Sequence, residues 1–186
     1  MLLSFDWKIT HEKLDYIYTS FFLWNLFYLV IHMAWKRRCL DSKTLNTKNR
    51  ILSITHGFIS KYLAVYIIFF RETDPEVGND WVINYLLIFS VGYFIYDSFA
   101  MFYFNLWDIS IVLHHALAIS GIVSSYFTDL GGYVVLSGLI IAEISNWPMH
   151  VRVILKNYGL RYTRAYETLE LLYFLLYFIG RVIFGP

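Results

Sequence analysis

Six long apolar runs separated by short polar connections constrain this chain more than any other feature. They extend from Tyr16 to Trp35, Ile51 to Phe70, Val82 to Phe104, Ile109 to Phe127, Gly132 to Trp147 and Tyr166 to Phe184. A helix needs about 20 such residues to cross a bilayer, and inside lipid only helices or closed barrels satisfy every backbone polar group. Of the 186 residues 58% are hydrophobic and 16% charged, with mean hydropathy +0.52. A water-soluble globule of that composition would expose apolar surface it could not cover. The pattern predicts an all-α fold, a polytopic membrane bundle of six transmembrane helices. The fifth run has only 16 residues before Pro148. Because proline removes one backbone N–H and frees the carbonyl of Ile144, the run is expected to bend or end there.

Fifteen Lys and Arg against 14 Asp and Glu leave a net charge of +1, which excludes an electrostatic nucleic-acid binder. The placement of the charges says more. Lys36, Arg37, Arg38, Lys43, Lys48 and Arg50 follow the first run, and six alternating spans put Arg152, Lys156, Arg161 and Arg164 on the same side. Glu72, Asp74, Glu76 and Asp80 fall opposite. Short basic loops stay cytoplasmic, so the N-terminus is expected outside. Trp7, Trp35, Trp81, Trp107 and Trp147 lie near run ends, where indoles favour the interface. Cys39 is the only cysteine, so no intramolecular disulfide can form.

Titratable groups at bilayer depth are costly and usually face a bundle interior. Five stand out: His56, Asp97, His114, His115 and Glu143. At about 1.5 Å per residue, all lie roughly 6–11 Å from the basic side. Four helices thus bring a His or carboxylate to one layer, and His56, Asp97, His114 and Glu143 are expected to converge. Neighbours on a helix diverge by about 100°. His114 shares its face with the partly polar stripe of Ser110, Leu117 and Gly121, and His115 shares its own with Ile111, Ala118 and Ile122. His114 is therefore expected in a cavity and His115 in packing. Seven aromatics between Tyr93 and Phe104, Tyr96 among them, fit either helix packing or one wall of an acyl-chain pocket. Arg181 reads as an anchor at the opposite interface and Lys61 as a snorkelling side chain.

Two chemistries suit such a layer besides plain interhelical hydrogen bonding. A His oriented by a carboxylate can act as general base in acyl transfer. Metal binding is the competitor, but no H-x-x-x-H or H-x-x-H-H box of the desaturase kind occurs among the six histidines. The expectation is no metal and no cofactor.

Asn49-Arg50-x-x-Ser53-x-x-His56, then Asp97, then Asp108 with His114-His115, then Glu143-x-Ser145-x-x-Pro148-x-x-x-Arg152 together resemble the TLC domain, the family of translocating-chain-associating proteins, ceramide synthases and a neuronal ceroid lipofuscinosis protein. The resemblance divides the chain into residues 1–49, with the first span and basic loop, and a TLC-like bundle at 50–186 that ends before the last family helix. It implies a lipid-accommodating membrane protein, commonly of the endoplasmic reticulum, although another organelle such as the mitochondrial inner membrane fits the composition equally. The paired histidines match those of ceramide synthases, which join an acyl group from acyl-CoA to a sphingoid base. The acidic motif after that pair is missing, since Ala116 to Thr128 contains no acid, and Glu-x-Ser-x-x-Pro resembles the TLC-domain-containing branch instead.

The leading expectation is a protein that binds a phospholipid or sphingolipid and influences membrane lipid composition, with His56, Glu143, Tyr93, Tyr96 and Ser110 against the lipid. The first rival is an acyl-CoA-dependent acyltransferase using His114, His115 and Asp97. The second is a non-catalytic subunit held by partner membrane subunits.

Overall fold

A computed structural model of the chain describes residues 7–35, 41–71 and 78–184, without the side chains of residues 7–10 and 110. The expectations for Lys36, Arg37, Arg38, Cys39, Glu72, Asp74 and Glu76, and those for the side chains of Trp7 and Ser110, fall outside it. Six α-helices follow one another: α1 (Trp7–Ala34), α2 (Ser42–Phe70), α3 (Trp81–Tyr103), α4 (Ile109–Thr128), α5 (Gly132–Asn157) and α6 (Arg164–Tyr177), the last continuing as a π-helix over Phe178–Ile183. Helices α1 to α5 are each long and apolar enough to cross a membrane. The outer surface is apolar, with Phe22 65% exposed, Phe69 71% and Leu117 75%. In water such a surface would drive aggregation. Facing lipid, it makes the protein an integral multi-pass membrane protein.

Two helices run further than their apolar stretches. Asp41 caps α2 by accepting the Thr44 N–H at 3.1 Å, and hydrogen bonds from the Thr44 side chain and backbone hold its carboxyl below the usual range. Lys43, Lys48 and Arg50 therefore belong to a helix and not to a loop. Lys48 is fully buried, its Nζ 3.2 Å from His32 Nδ1. Helix α5 passes through Pro148, so of the two outcomes expected there, a bend or an end, the end does not occur. A missing bond in a helix packed along its length on α2 is tolerable. Its end comes at Gly159, whose φ of +78° suits glycine. There Leu160 N–H bonds to Leu155 O and Gly159 N–H to Lys156 O, a Schellman stop.

Helix α2 packs most extensively on α5, α1 on α3, and α6 on α5. Trp24 of α1 donates from Nε1 to Phe89 O at 3.1 Å. At the end away from the basic residues, Asn79 bonds to Ser125 O, Ser125 Oγ and Gly132 N. Asp129 there accepts from Lys13 and Asn84. The seven aromatics between Tyr93 and Phe104 do not form one wall, because the helix turns them to different sides. Tyr93, Phe94 and Tyr96 are buried, whereas Phe99, Phe102 and Tyr103 are 57–84% exposed.

Helix alternation places Lys43 and Arg161 at one end and Leu130 at the other. With Cys39 replaced by serine, single cysteines at Lys43 and Arg161 should react with a membrane-impermeant maleimide from the cytoplasmic side. A cysteine at Leu130 should react from the opposite side. Labelling of all three from one side would reverse the alternation.

Candidate functional site

The interior of the bundle holds a cavity of about 260 Å³ to which six helical segments contribute. Helix α2 supplies Arg50, α3 supplies Tyr93, Phe94 and Asp97, and α4 supplies Ile111, His114 and His115. From α5 come Glu143, Asn146, Met149 and His150, a spacing that repeats along one helical face. Tyr173 and Tyr177 of α6 and Arg181 of the π-helix complete the lining.

Asp97 anchors the α2–α3 side. Its Oδ1 accepts from Asn49 Nδ2. The Asn49 carbonyl oxygen in turn accepts from Tyr96 Oη at 2.9 Å. The other carboxylate oxygen faces His115 Nε2 at 3.6 Å, within ion-pair range but beyond a hydrogen bond. The remaining ring nitrogen, Nδ1, is 3.2 Å from Ser98 Oγ. Ser98 spends its single hydroxyl proton on Phe94 O at 2.7 Å, so its oxygen accepts from Nδ1–H. Nδ1 of His115 is thus engaged, while Nε2 faces Asp97 without a hydrogen bond, an approach that is favourable when a proton lies between Nε2 and Oδ2.

Glu143 lies on the α2–α5 side, 3% exposed, with Oε1 3.9 Å from His56 Nδ1. Gly57 makes this approach possible, since a Cβ there would collide with the Glu143 carboxylate. His56 itself does not line the cavity. It stacks on Tyr93 with ring centroids 4.0 Å apart and 9° between planes, backed by Trp24 at 5.9 Å.

The expected convergence is present in this form. His114, Asp97 and Glu143 line one space, and His56 reaches it through Glu143 and Tyr93. The assignment of the two histidines to cavity and packing is corrected: both line the cavity, and His115 is the one against Asp97. The stripe shared with His114 points partly outward, with Leu117 exposed and open space around Gly121, whereas Ile111 and Ile122 on the His115 face turn inward. Among the described residues His114 has no carboxylate within 4.0 Å; it meets Phe94 and His115. Tyr96 acts behind the wall through Asn49. Arg181 is corrected too, from interface anchor to cavity wall.

Sequence reasoning missed Arg50, Asn146, His150 and Arg181 as lining residues. Asn146 and His150 were within reach, at i+3 and i+7 from Glu143. Nothing in the local pattern announced the π-helix that carries Arg181.

The TLC domain family model matches residues 46–186, most of the chain and every helix that lines the cavity. The chain belongs to the TLC domain family. It is 28% identical over 146 residues to TLC domain-containing protein 1 of Gallus gallus, covering 73% of this chain and 55% of that protein. To a TLC domain-containing protein of Arabidopsis thaliana it is 28% identical over 134 residues, covering 70% of this chain and 51% of that protein. The chain therefore spans about half the length of these curated relatives. No solved structure matches it. The TLC domain match begins at Asn46, inside α2, so α1 packs against the domain from outside the matched segment.

Proposed function

We propose that this TLC domain protein holds a membrane lipid by its polar head and, by sequestering or presenting it, influences membrane lipid composition. The observation that carries the reading is the cavity itself, lined by helices, polar on several sides and only about 260 Å³ in volume. Whole-ligand pockets run to roughly 300–1,000 Å³, so the space suits a headgroup and not a complete lipid. A second, apolar groove of about 390 Å³ lies between α2, α5 and α6, lined by Ile68, Phe69, Ile140, Ile144, Leu176 and Phe184. The tail runs there, not along the α3 aromatics. The setting proposed, from the family resemblance, is the endoplasmic reticulum membrane.

Acyl transfer from acyl-CoA is the second reading, supported by the His115–Asp97 pair within the cavity. It ranks below binding for a geometric reason. His115 has the orienting acid, but its Nδ1 is held by Ser98 and its Nε2 is turned to that acid, and His114 has access but no acid.

Ile111 lines the cavity and is half-buried, so Ile111→Trp should fill it without removing a polar group. Protein purified in mild detergent should retain phospholipid or sphingolipid measurable by mass spectrometry of the extract. The variant should retain about tenfold less, equivalent to about 1.4 kcal/mol. Equal retention in both would place the lipid elsewhere. Turnover of acyl-CoA with a long-chain amine, falling by about 10²–10⁴ in His115→Ala, would put catalysis first.

A further inference from the structure

Arg181 enters the cavity from the only π-helical stretch among the described residues. Such stretches are rare and recur at functional sites. Here the preceding residue, Gly180, is pressed on α5, where a Cβ would stand 3.1 Å from Ile141 O. The close approach brings the next side chain over the edge of α5 and inward. Among the described residues Arg181 Nε is buried with no hydrogen-bond partner, and the guanidinium lies 5.4 Å from the Tyr177 ring centroid. Arg50 also lines the cavity, from α2, held by Asn46 Oδ1 at 3.1 Å and His150 Nδ1 at 3.2 Å.

Two guanidiniums and two carboxylates therefore line one space. Among the described residues neither arginine forms an ion pair within 4.0 Å, since Asp97 faces His115 and Glu143 faces His56. Guanidiniums left in a low-dielectric cavity without an ion pair are strongly unfavourable unless something completes them. A simple anion would satisfy the arginines and be repelled by the carboxylates. A simple cation would do the reverse. One ligand bearing both signs completes both sets.

We infer that the cavity takes a zwitterionic head, its phosphate between Arg50 and Arg181 and its ammonium toward Asp97 and Glu143. The inference rests on the lipid-holding reading and names the class of head. Guanidinium forks suit phosphate oxygens. An ammonium is met by the carboxylates of Asp97 and Glu143, which line the same space.

The test uses the full chain in detergent and short-chain phospholipids that differ only in the head: phosphoethanolamine, phosphocholine and phosphoglycerol. At least one of the two zwitterions should bind about tenfold tighter than phosphoglycerol, a ranking that needs no variant. Arg181→Gln should weaken all three heads by about tenfold, and Arg181→Lys should restore part of the loss. Glu143→Gln should weaken only the zwitterions and so collapse the preference. Soluble phosphoethanolamine added in excess assigns the source: displacement of bound lipid marks a site open to free zwitterions, and undisturbed lipid marks a membrane headgroup. If phosphoglycerol binds as tightly as the zwitterions, or if Arg181→Gln changes nothing in a variant that unfolds at the wild-type temperature, the zwitterion site is overturned and lipid holding stands. If none of the three binds, both fall.

Discussion

Asp97→Ala should destabilise the protein by about 3–5 kcal/mol, the largest loss expected from any single change in the cavity wall. Asp97 is 4% exposed and joins three helices, through Asn49 on α2, its own place on α3, and His115 on α4. Truncation strands the Asn49 amide, with the Tyr96 hydroxyl behind it, and leaves His115 Nε2 facing empty space. Each stranded buried group costs about 1–3 kcal/mol. Asp97→Asn separates shape from charge, because it keeps an oxygen for Asn49 and loses only the attraction to His115. Its expected loss is about 1 kcal/mol. Thermal unfolding of wild type and both variants in one detergent checks this. Equal midpoints for the Ala and Asn variants would mean that the network does not hold the three helices together.

The site was partly legible because its strongest signal is one of energy. Ionisable residues are expensive in apolar runs, so Asp97, His114, His115 and Glu143 announced themselves one by one, and alternation of spans was enough to bring them together. Depth was less legible, because the apolar runs end before the helices do. Asp41 and Gly159 end α2 and α5 well beyond those runs, and each was a readable stop, an Asx cap before Ser-Lys-Thr and a glycine after Asn-Tyr. The roles of His114 and His115 turned on which side of α4 meets the core. Small polar residues are compatible with a cavity and equally with a neighbour's absence, which is how Gly121 came to face open space. Arg181 was unreachable on a 3.6-residue period. Arg181 lies inside the π-helix, which breaks that period where Gly180 packs closely on α5.

Gly92→Val should loosen α1 from the rest of the bundle and lower stability by about 1–3 kcal/mol or somewhat more. Between membrane helices the driving force is close packing rather than exclusion of water, so small residues set how near two backbones come. Gly92 occupies that place on α3. A Cβ there would overlap Ser20 and stand 2.9 Å from the backbone nitrogen of Phe21, which cannot move without moving α1. Withdrawal of α1 would also pull Trp24 Nε1 from Phe89 O and its ring from behind His56 and Tyr93. None of the residues lining the cavity belongs to α1. Lipid retained per folded molecule should therefore fall far less in Gly92→Val than in Ile111→Trp, even though Gly92→Val unfolds at a lower temperature. That separation also tests the division of the chain near residue 50. If Gly92→Val empties the cavity as completely as Ile111→Trp, then α1 is part of the binding unit, and the support of His56 by Trp24 is how it contributes.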